Sequence, residues 1–279
     1  MRIIKCCKVN LMQLRTRKKT WICLLLLVVL MASFFAGYGP YAKSLGHPHI
    51  APWGVSGLPT NGMFYAVILT IFLLLIADAP FRTAQQQLVL QRIGKRGWIT
   101  GQILYLFVLS VAFTVLLWIL SWIFYAPMIE WTPGWGKVIR TQALYPSAEH
   151  FFLRVPKDVL QNTTGLMATL WMLGMQVLVC FFLGCIVLLS NLWFKRGSGV
   201  FIAAVFAFLY YFLRQNATMR YFPTWLTWLS PVSWVDRSIV GHPNMPSLAY
   251  SIIMISLLCI LSVTLAICTI HKNDIVVKE

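Results

Sequence analysis

The chain has 279 residues, 59% of them hydrophobic and only 11% charged, with a mean hydropathy of +0.76. Soluble domains carry about twice that charge fraction, so composition excludes an ordinary soluble fold and implies an integral membrane protein. A net charge of +16, from 23 basic against 7 acidic residues, would fit nucleic-acid binding in a soluble protein, but here the charges flank apolar runs, as membrane topology requires, and no nucleic-acid partner is expected.

In chain order, Ile4, Cys7, Leu11 and Leu14 recur at spacings of three and four beside Lys5, Lys8 and Arg15. That pattern predicts a basic interfacial helix over 1–19, where each cation near anionic lipid contributes about 1 kcal/mol. Arg17, Lys18 and Lys19 precede the first apolar run, 21–36. The competing reading, a signal peptide, is disfavoured by the long basic head and the lack of a small-x-small cleavage site. None of the seven cysteines falls in an expected outer loop, so no disulfide framework is implied. Cys6 and Cys7 read as small apolar residues of the surface helix more readily than as lipidation sites.

The segment 38–60 is rich in Pro and Gly and contains His47-Pro48-His49 without a nearby carboxylate or thiol, so no metal is expected. Residues 37–44 end in Lys43-Ser44 and nearly spell a P-loop. Ala42 stands where glycine is required, and an apolar run rather than a strand precedes it, so no nucleotide site is expected in this chain. A second span is expected at 63–77, followed by the polar stretch 78–98. There Asp78 is placed to cap a helix with Pro80 in its first turn. Phe81, Ala84 and Leu88, and likewise Val89 and Ile93, recur at helical spacing opposite Gln85, Gln86 and Gln87. This amphipathic segment reads either as a helix resting on lipid headgroups or as a lever gripped by a soluble protein.

Further spans are expected at 102–125, 166–190, 199–213 and 248–270, each near the length needed to cross about 30 Å of hydrocarbon. The long loop 126–165, with Trp131 and Trp135, is expected to form a small cap. Asn162-Thr163-Thr164 and Asn216-Ala217-Thr218 spell glycosylation sequons in outer segments. Trp225, Trp228 and Trp234 surround Ser230-Pro231, a tryptophan belt suited to short helices dipping into the outer interface. Fifteen of the 23 basic residues fall in the segments assigned inside and eight in the longer outer loops, which puts both termini in the cytoplasm.

No Asp, Glu, Lys, Arg or His lies within the six apolar runs. Ion-coupled carriers and intramembrane hydrolases place ionisable groups there, so neither class is expected, nor is any catalytic residue. Six spans with both termini inside, a basic surface helix first and an amphipathic helix between spans two and three resemble the membrane subunit of an ATP-binding-cassette (ABC) transporter, type-2 (exporter) permease class. Asp78-Ala79-Pro80-Phe81, Leu88-Val89-Leu90-Gln91-Arg92-Ile93-Gly94, Trp98 and Gly101-Gln102-Ile103-Leu104-Tyr105 are similar to that class's first cytoplasmic loop. Leu229-Ser230-Pro231-Val232-Ser233-Trp234 resembles its outer re-entrant segment.

The resemblance implies an all-α export subunit of the plasma membrane. Spans rich in Phe, Leu, Met and Trp, with few polar groups, suit an amphipathic or hydrophobic cargo, such as a peptide, lipid or drug, with lipid-facing or packed side chains as the competing account. A coupling helix carrying Phe81, Arg82, Gln85, Gln86, Leu88, Val89 and Arg92 would sit in a groove of a separate cytosolic ATPase subunit, which holds ATP and Mg. It also implies a second permease copy, identical or paralogous. Lys195 and Arg196 are candidates for a second cytoplasmic contact, with simple positive-inside anchoring as the competing account. Trp225, Trp228, Pro231 and Trp234 would form the re-entrant segment. The long 126–165 loop departs from the compact members of this class. The alternative reading is a membrane scaffold or accessory subunit that transports nothing.

Overall fold

A chain segment surrounded by hydrocarbon must satisfy every peptide group internally, and a run of about 20 apolar residues does so as a helix. The computed structural model describes residues 2–47, 49–80, 84–145, 153–194, 197–219 and 224–272. These form an all-α protein with eleven helices: α1 Arg2–Thr16, α2 Lys18–Phe35, α3 Tyr38–Ser44, α4 Gly62–Ile76, α5 Ala84–Ile123, α6 Gly136–Leu144, α7 Lys157–Asn162, α8 Gly165–Trp193, α9 Ser198–Met219, α10 Leu226–Leu229 and α11 Leu248–Lys272. Extended pairing among them is limited to a parallel bridge between Ile50 and Ile129.

Four helical stretches are long and apolar enough to cross a membrane, namely Lys18–Ser44, Val89–Ile123, Gly165–Trp193 and Leu248–Ile270. A fifth arises if the 3-10 turn Gly54–Thr60 and α4, bent by 99°, are counted together. The chain is thus a multi-pass membrane protein. Its apolar surface carries the same message: α2 exposes Trp21, Ile22, Leu25, Leu26 and Val29, and Phe201 on α9 is 78% exposed. Surfaces of that kind are sheltered by lipid or by another protein rather than by water. Alone, α4 spans only about 22 Å and the apolar part of α9, Ser198–Arg214, about 25 Å.

The central helix is α8, with α4, α5, α9 and α11 packed around it and α2 set against α4 and α5. Leu27, Met31 and Phe34 of α2, Phe72 of α4, Phe113 of α5 and Leu183 of α8 are fully or almost fully buried in one continuous core. Aromatic rings meet edge-on within it, Phe34 with Phe64 at 4.5 Å and Tyr65 with Tyr210 at 5.5 Å.

The surface helix α1 differs from expectation in how it is turned. Its buried face is Cys6, Cys7, Asn10 and Leu14, laid against α5, while Ile4 is 65% exposed. The close approach is made at Gly101, where a β-carbon would come 2.7 Å from Cys6 Sγ. Burial pushes the Cys6 thiol up to about 11 and raises that of Cys7 as well, so neither is a reactive thiolate at neutral pH.

Residues 50–59, part of the segment read as a Pro- and Gly-rich loop, are all buried. Trp53 lies so close to Gly165 that a β-carbon there would sit 2.4 Å from its ring, and its indole donates to the Thr132 carbonyl at 2.6 Å. Trp118, Trp122 and Trp131 meet edge to face beside it with centroids 6.1–6.4 Å apart. The segment packs against α8, α4 and α5, with Leu153 against Gly57 and Ala51 against Gly136, and the apolar and aromatic surface it buries there is what converts a Pro- and Gly-rich loop into part of the core.

Candidate functional site

Two polar clusters close the two ends of the bundle. At the first end the chain leaves α4 through Ala77 and Asp78. Helix does not follow Asp78 directly: Ala79 and Pro80 are both non-helical, and the expected helix start at Phe81 lies outside the described residues. The Asp78 carboxylate is ion-paired with Arg17 through a short contact and with Lys19 at 3.4 Å, both from the start of the first apolar helix.

Beside that pair, Asn191 at the end of α8 uses its whole side-chain amide. Nδ2 donates to the carbonyls of Ala77 at 3.2 Å and Ala79 at 2.6 Å, while Oδ1 accepts from the backbone of Gly197 and Gly199, each at 3.1 Å. Asn191 is 2% exposed. One residue therefore joins the connection that follows α4 to the turn between α8 and α9. Gly199 permits the approach, since a β-carbon there would lie 2.5 Å from the Val187 carbonyl. An open cavity of about 620 Å³ lined by Trp193, Phe194, Ser198 and Ile202 flanks this turn.

From the same root rises the segment expected as an amphipathic helix between spans. Phe81 and Arg82 lie outside the described residues, and Gln85, Gln86 and Leu88 are described in backbone only, as helix. Val89, Leu90 and Ile93 face the core, whereas Gln91 and Arg92 are exposed. The helix is not followed by a loop. It continues to Ile123, interrupted at Gly94 with φ +73° and ψ 167°. No neighbour crowds Gly94, so the requirement is conformational: an L side chain rarely adopts that geometry. Gly94→Ala is expected to cost about 1–3 kcal/mol or to straighten the break. A spin label pair across residues 90 and 98 would register the change in bend. Lys195 and Arg196 lie outside the described residues.

At the opposite end Asp236 is the centre. Its side chain is 1% exposed and its Oδ2 lies 3.4 Å from Arg214 Nη1 and 3.1 Å from the Tyr210 hydroxyl, which also donates to the Pro59 carbonyl. Oδ1 accepts from Ser238 through its backbone N–H at 2.9 Å and its hydroxyl at 2.6 Å. Arg214 further donates to the Thr60 carbonyl at 3.0 Å and Ser238 Oγ at 3.1 Å. The entrance of α4, the C-terminal part of α9 and the segment before α11 are thus tied through one buried charge pair. Arg214 directly follows the apolar run expected at 199–213, and the sequence reading passed over Asp236. The available signal was an acidic residue isolated among Trp, Val and Ile, the only one between Asp158 and Asp274.

The tryptophan segment is split by its environment. Trp234 is buried and donates to the Thr227 carbonyl at 2.9 Å, and Pro231 is buried at the first position of a 3-10 turn. Trp228 meets Tyr250 at 4.8 Å, and Trp234 meets the same ring at 5.7 Å. Trp225 stands apart, 57% exposed. Within the bundle, the Tyr65 hydroxyl donates to Gln176 of α8, whose amide donates in turn to Cys180 Sγ at 3.1 Å. Gln102 is fully buried on α5. Among the described residues no three His, Cys, Asp or Glu gather as a metal site. Compared with known proteins, the chain matches no family model and no curated sequence.

Proposed function

We propose that the chain is the membrane-spanning permease subunit of an ATP-driven ABC exporter, with six spans and both termini in the cytoplasm. It would move an amphipathic or hydrophobic cargo outward with energy supplied by a separate ATPase subunit. The six spans are α2, α4, the part of α5 after Gly94, α8, α9 and α11, and the membrane is the plasma membrane. The observation that carries this reading is the short helix Ala84–Ile93, broken from the following apolar helix at Gly94 and rooted where Asp78 and Asn191 gather the inner connections. A helix with an exposed polar edge, hung from a braced root and free to pivot at a glycine, suits a lever.

In this mechanism the ATPase subunit binds and hydrolyses ATP with Mg, and this chain contributes no nucleotide-contacting residue. Closure of two ATPases around ATP would press on Phe81, Arg82, Gln85, Gln86, Leu88, Val89 and Arg92. The force would pass to α4 through Ala77–Ala79 and to α8 and α9 through Asn191, rocking the spans between inward- and outward-open states. A second permease copy completes the path, and the exposed faces of α2 and α9 provide apolar surface for it or for lipid. Lys195 and Arg196 sit beside this root in sequence and would offer the second contact.

The test is co-purification. A soluble ATPase recovered in stoichiometric amount with the wild-type chain is expected to be lost on Phe81→Asp with Leu88→Asp. Retention of the ATPase by that variant would reject the lever. The alternative, a scaffold that transports nothing, is distinguished by ATP-dependent uptake into inverted vesicles, which a scaffold would not support.

A further inference from the structure

Outside the bundle, a cavity of about 590 Å³ lies between α6 and the corner where α7 meets α8. Its polar lining is the exposed cations Lys137 and Arg140 from α6, the amide of Gln161 from α7, and Thr163 and Thr164 from the corner, the Thr163 hydroxyl donating to the Val159 carbonyl at 2.6 Å. No carboxylate lines it among the described residues. We propose that this cavity is a binding site for a phosphate-bearing anion, held by the Lys137 ammonium, the Arg140 guanidinium and the Thr164 hydroxyl.

The wall is built rather than incidental. Trp135, 7% exposed, closes one side and its indole donates to the Thr163 carbonyl at 2.7 Å, tying the start of α6 to the α7–α8 corner. The Leu166 N–H donates to the Pro133 carbonyl at 3.2 Å and braces the same junction. Thr164 Oγ1 accepts from the Met167 N–H at 3.3 Å, which leaves its hydroxyl hydrogen to donate outward. The backbone adds to this field: Trp135 is right-handed and Gly136 left-handed with φ +68°, a pairing that turns successive N–H groups to one side, and no side chain caps the helix they open.

Size and charge select the ligand class. A guanidinium fork and an ammonium together match a phosphate, bidentately from Arg and as a point charge from Lys. The volume lies in the range of small-molecule sites and is far larger than a bare ion needs, so the anion arrives on a larger body. Two sources share that chemistry, the headgroup of an anionic phospholipid and a free phosphate or phosphorylated solute. The site does not depend on the transport reading, because the cavity and its charges are the same in a scaffold.

The test uses the full chain in a neutral detergent, titrated calorimetrically with short-chain phosphatidylglycerol, with inorganic phosphate, and with phosphatidylcholine as the zwitterionic control. Phosphatidylglycerol is expected to bind, phosphatidylcholine at least 10-fold more weakly. Lys137→Gln with Arg140→Gln is expected to lower phosphatidylglycerol affinity at least 10-fold. Gly134→Leu, at a lining position where a β-carbon meets nothing within 4 Å, fills the cavity without removing charge and is expected to do the same. Both variants should keep the wild-type thermal midpoint without ligand, and Lys137→Arg should bind within about 3-fold of wild type. Competition by inorganic phosphate identifies a free-phosphate source, and lipid binding without competition identifies a headgroup. Failure of both phosphate probes to bind, or variants that bind as wild type does, would overturn the proposal.

Discussion

Asn191→Ala is expected to lower the unfolding midpoint of the detergent-purified protein by on the order of 10 °C. The side chain makes four hydrogen bonds at a 2% exposed position. Each such bond contributes about 1 kcal/mol net, and donors or acceptors left buried without partners cost more than that. A total near 3–5 kcal/mol follows if the turn does not rearrange. Asn191→Asp separates the two halves of the anchor. Its carboxylate keeps the acceptors for Gly197 and Gly199 but faces the carbonyls of Ala77 and Ala79 with negative charge, so it is expected to be at least as damaging as Ala. A fluorescence size-exclusion melting curve reads both. A midpoint within about 2 °C of wild type for Asn191→Ala would show that this side chain does not hold the two connections together.

The second large effect lies at the opposite end, where charge rather than amide geometry is at stake. Arg214→Leu leaves the Asp236 carboxylate, 1% exposed, with only neutral donors. Breaking a buried pair from one side typically costs about 3–5 kcal/mol. Asp236→Asn is expected to cost less than Arg214→Leu, because Arg214 is a quarter exposed and keeps the Thr60 carbonyl and Ser238. The double variant Arg214→Leu with Asp236→Asn should recover stability relative to Arg214→Leu alone, since no isolated buried charge remains. Thermal melts of the three variants give the coupling directly. Additive losses would show that the two residues act independently and that the pair does not tie α9 to the segment before α11.

Legibility followed the range of the forces involved. The helices α2, α8 and α11 could be read from apolar runs because a helix satisfies its own backbone and needs no partner to exist. The stretch between α5 and α8 stood out by its length and tryptophans, but its two helices and the burial of 50–59 did not. Asp78 was read only as a helix cap, and its ion pair with Arg17 and Lys19 was missed, because a cap and an ion pair use the same carboxylate. The ion pair rests on Arg17, 61 residues earlier, which packing brings alongside. Gly94 looked like any glycine within an amphipathic stretch. That it breaks the helix there follows from where α5 must enter the bundle.

Local chemistry in the amino-acid order therefore accounts for the class of protein, its membrane residence and the position of its apolar helices. Each of those depends on neighbours within about 20 residues and on the hydrophobic effect. The two polar clusters are different in kind. Asn191 joins residues 112 and 114 positions away, and Asp236 gathers groups from α4's entrance, α9 and its own turn. Buried amides and charges are tolerated only where all of their partners converge, and convergence is a property of the packed chain.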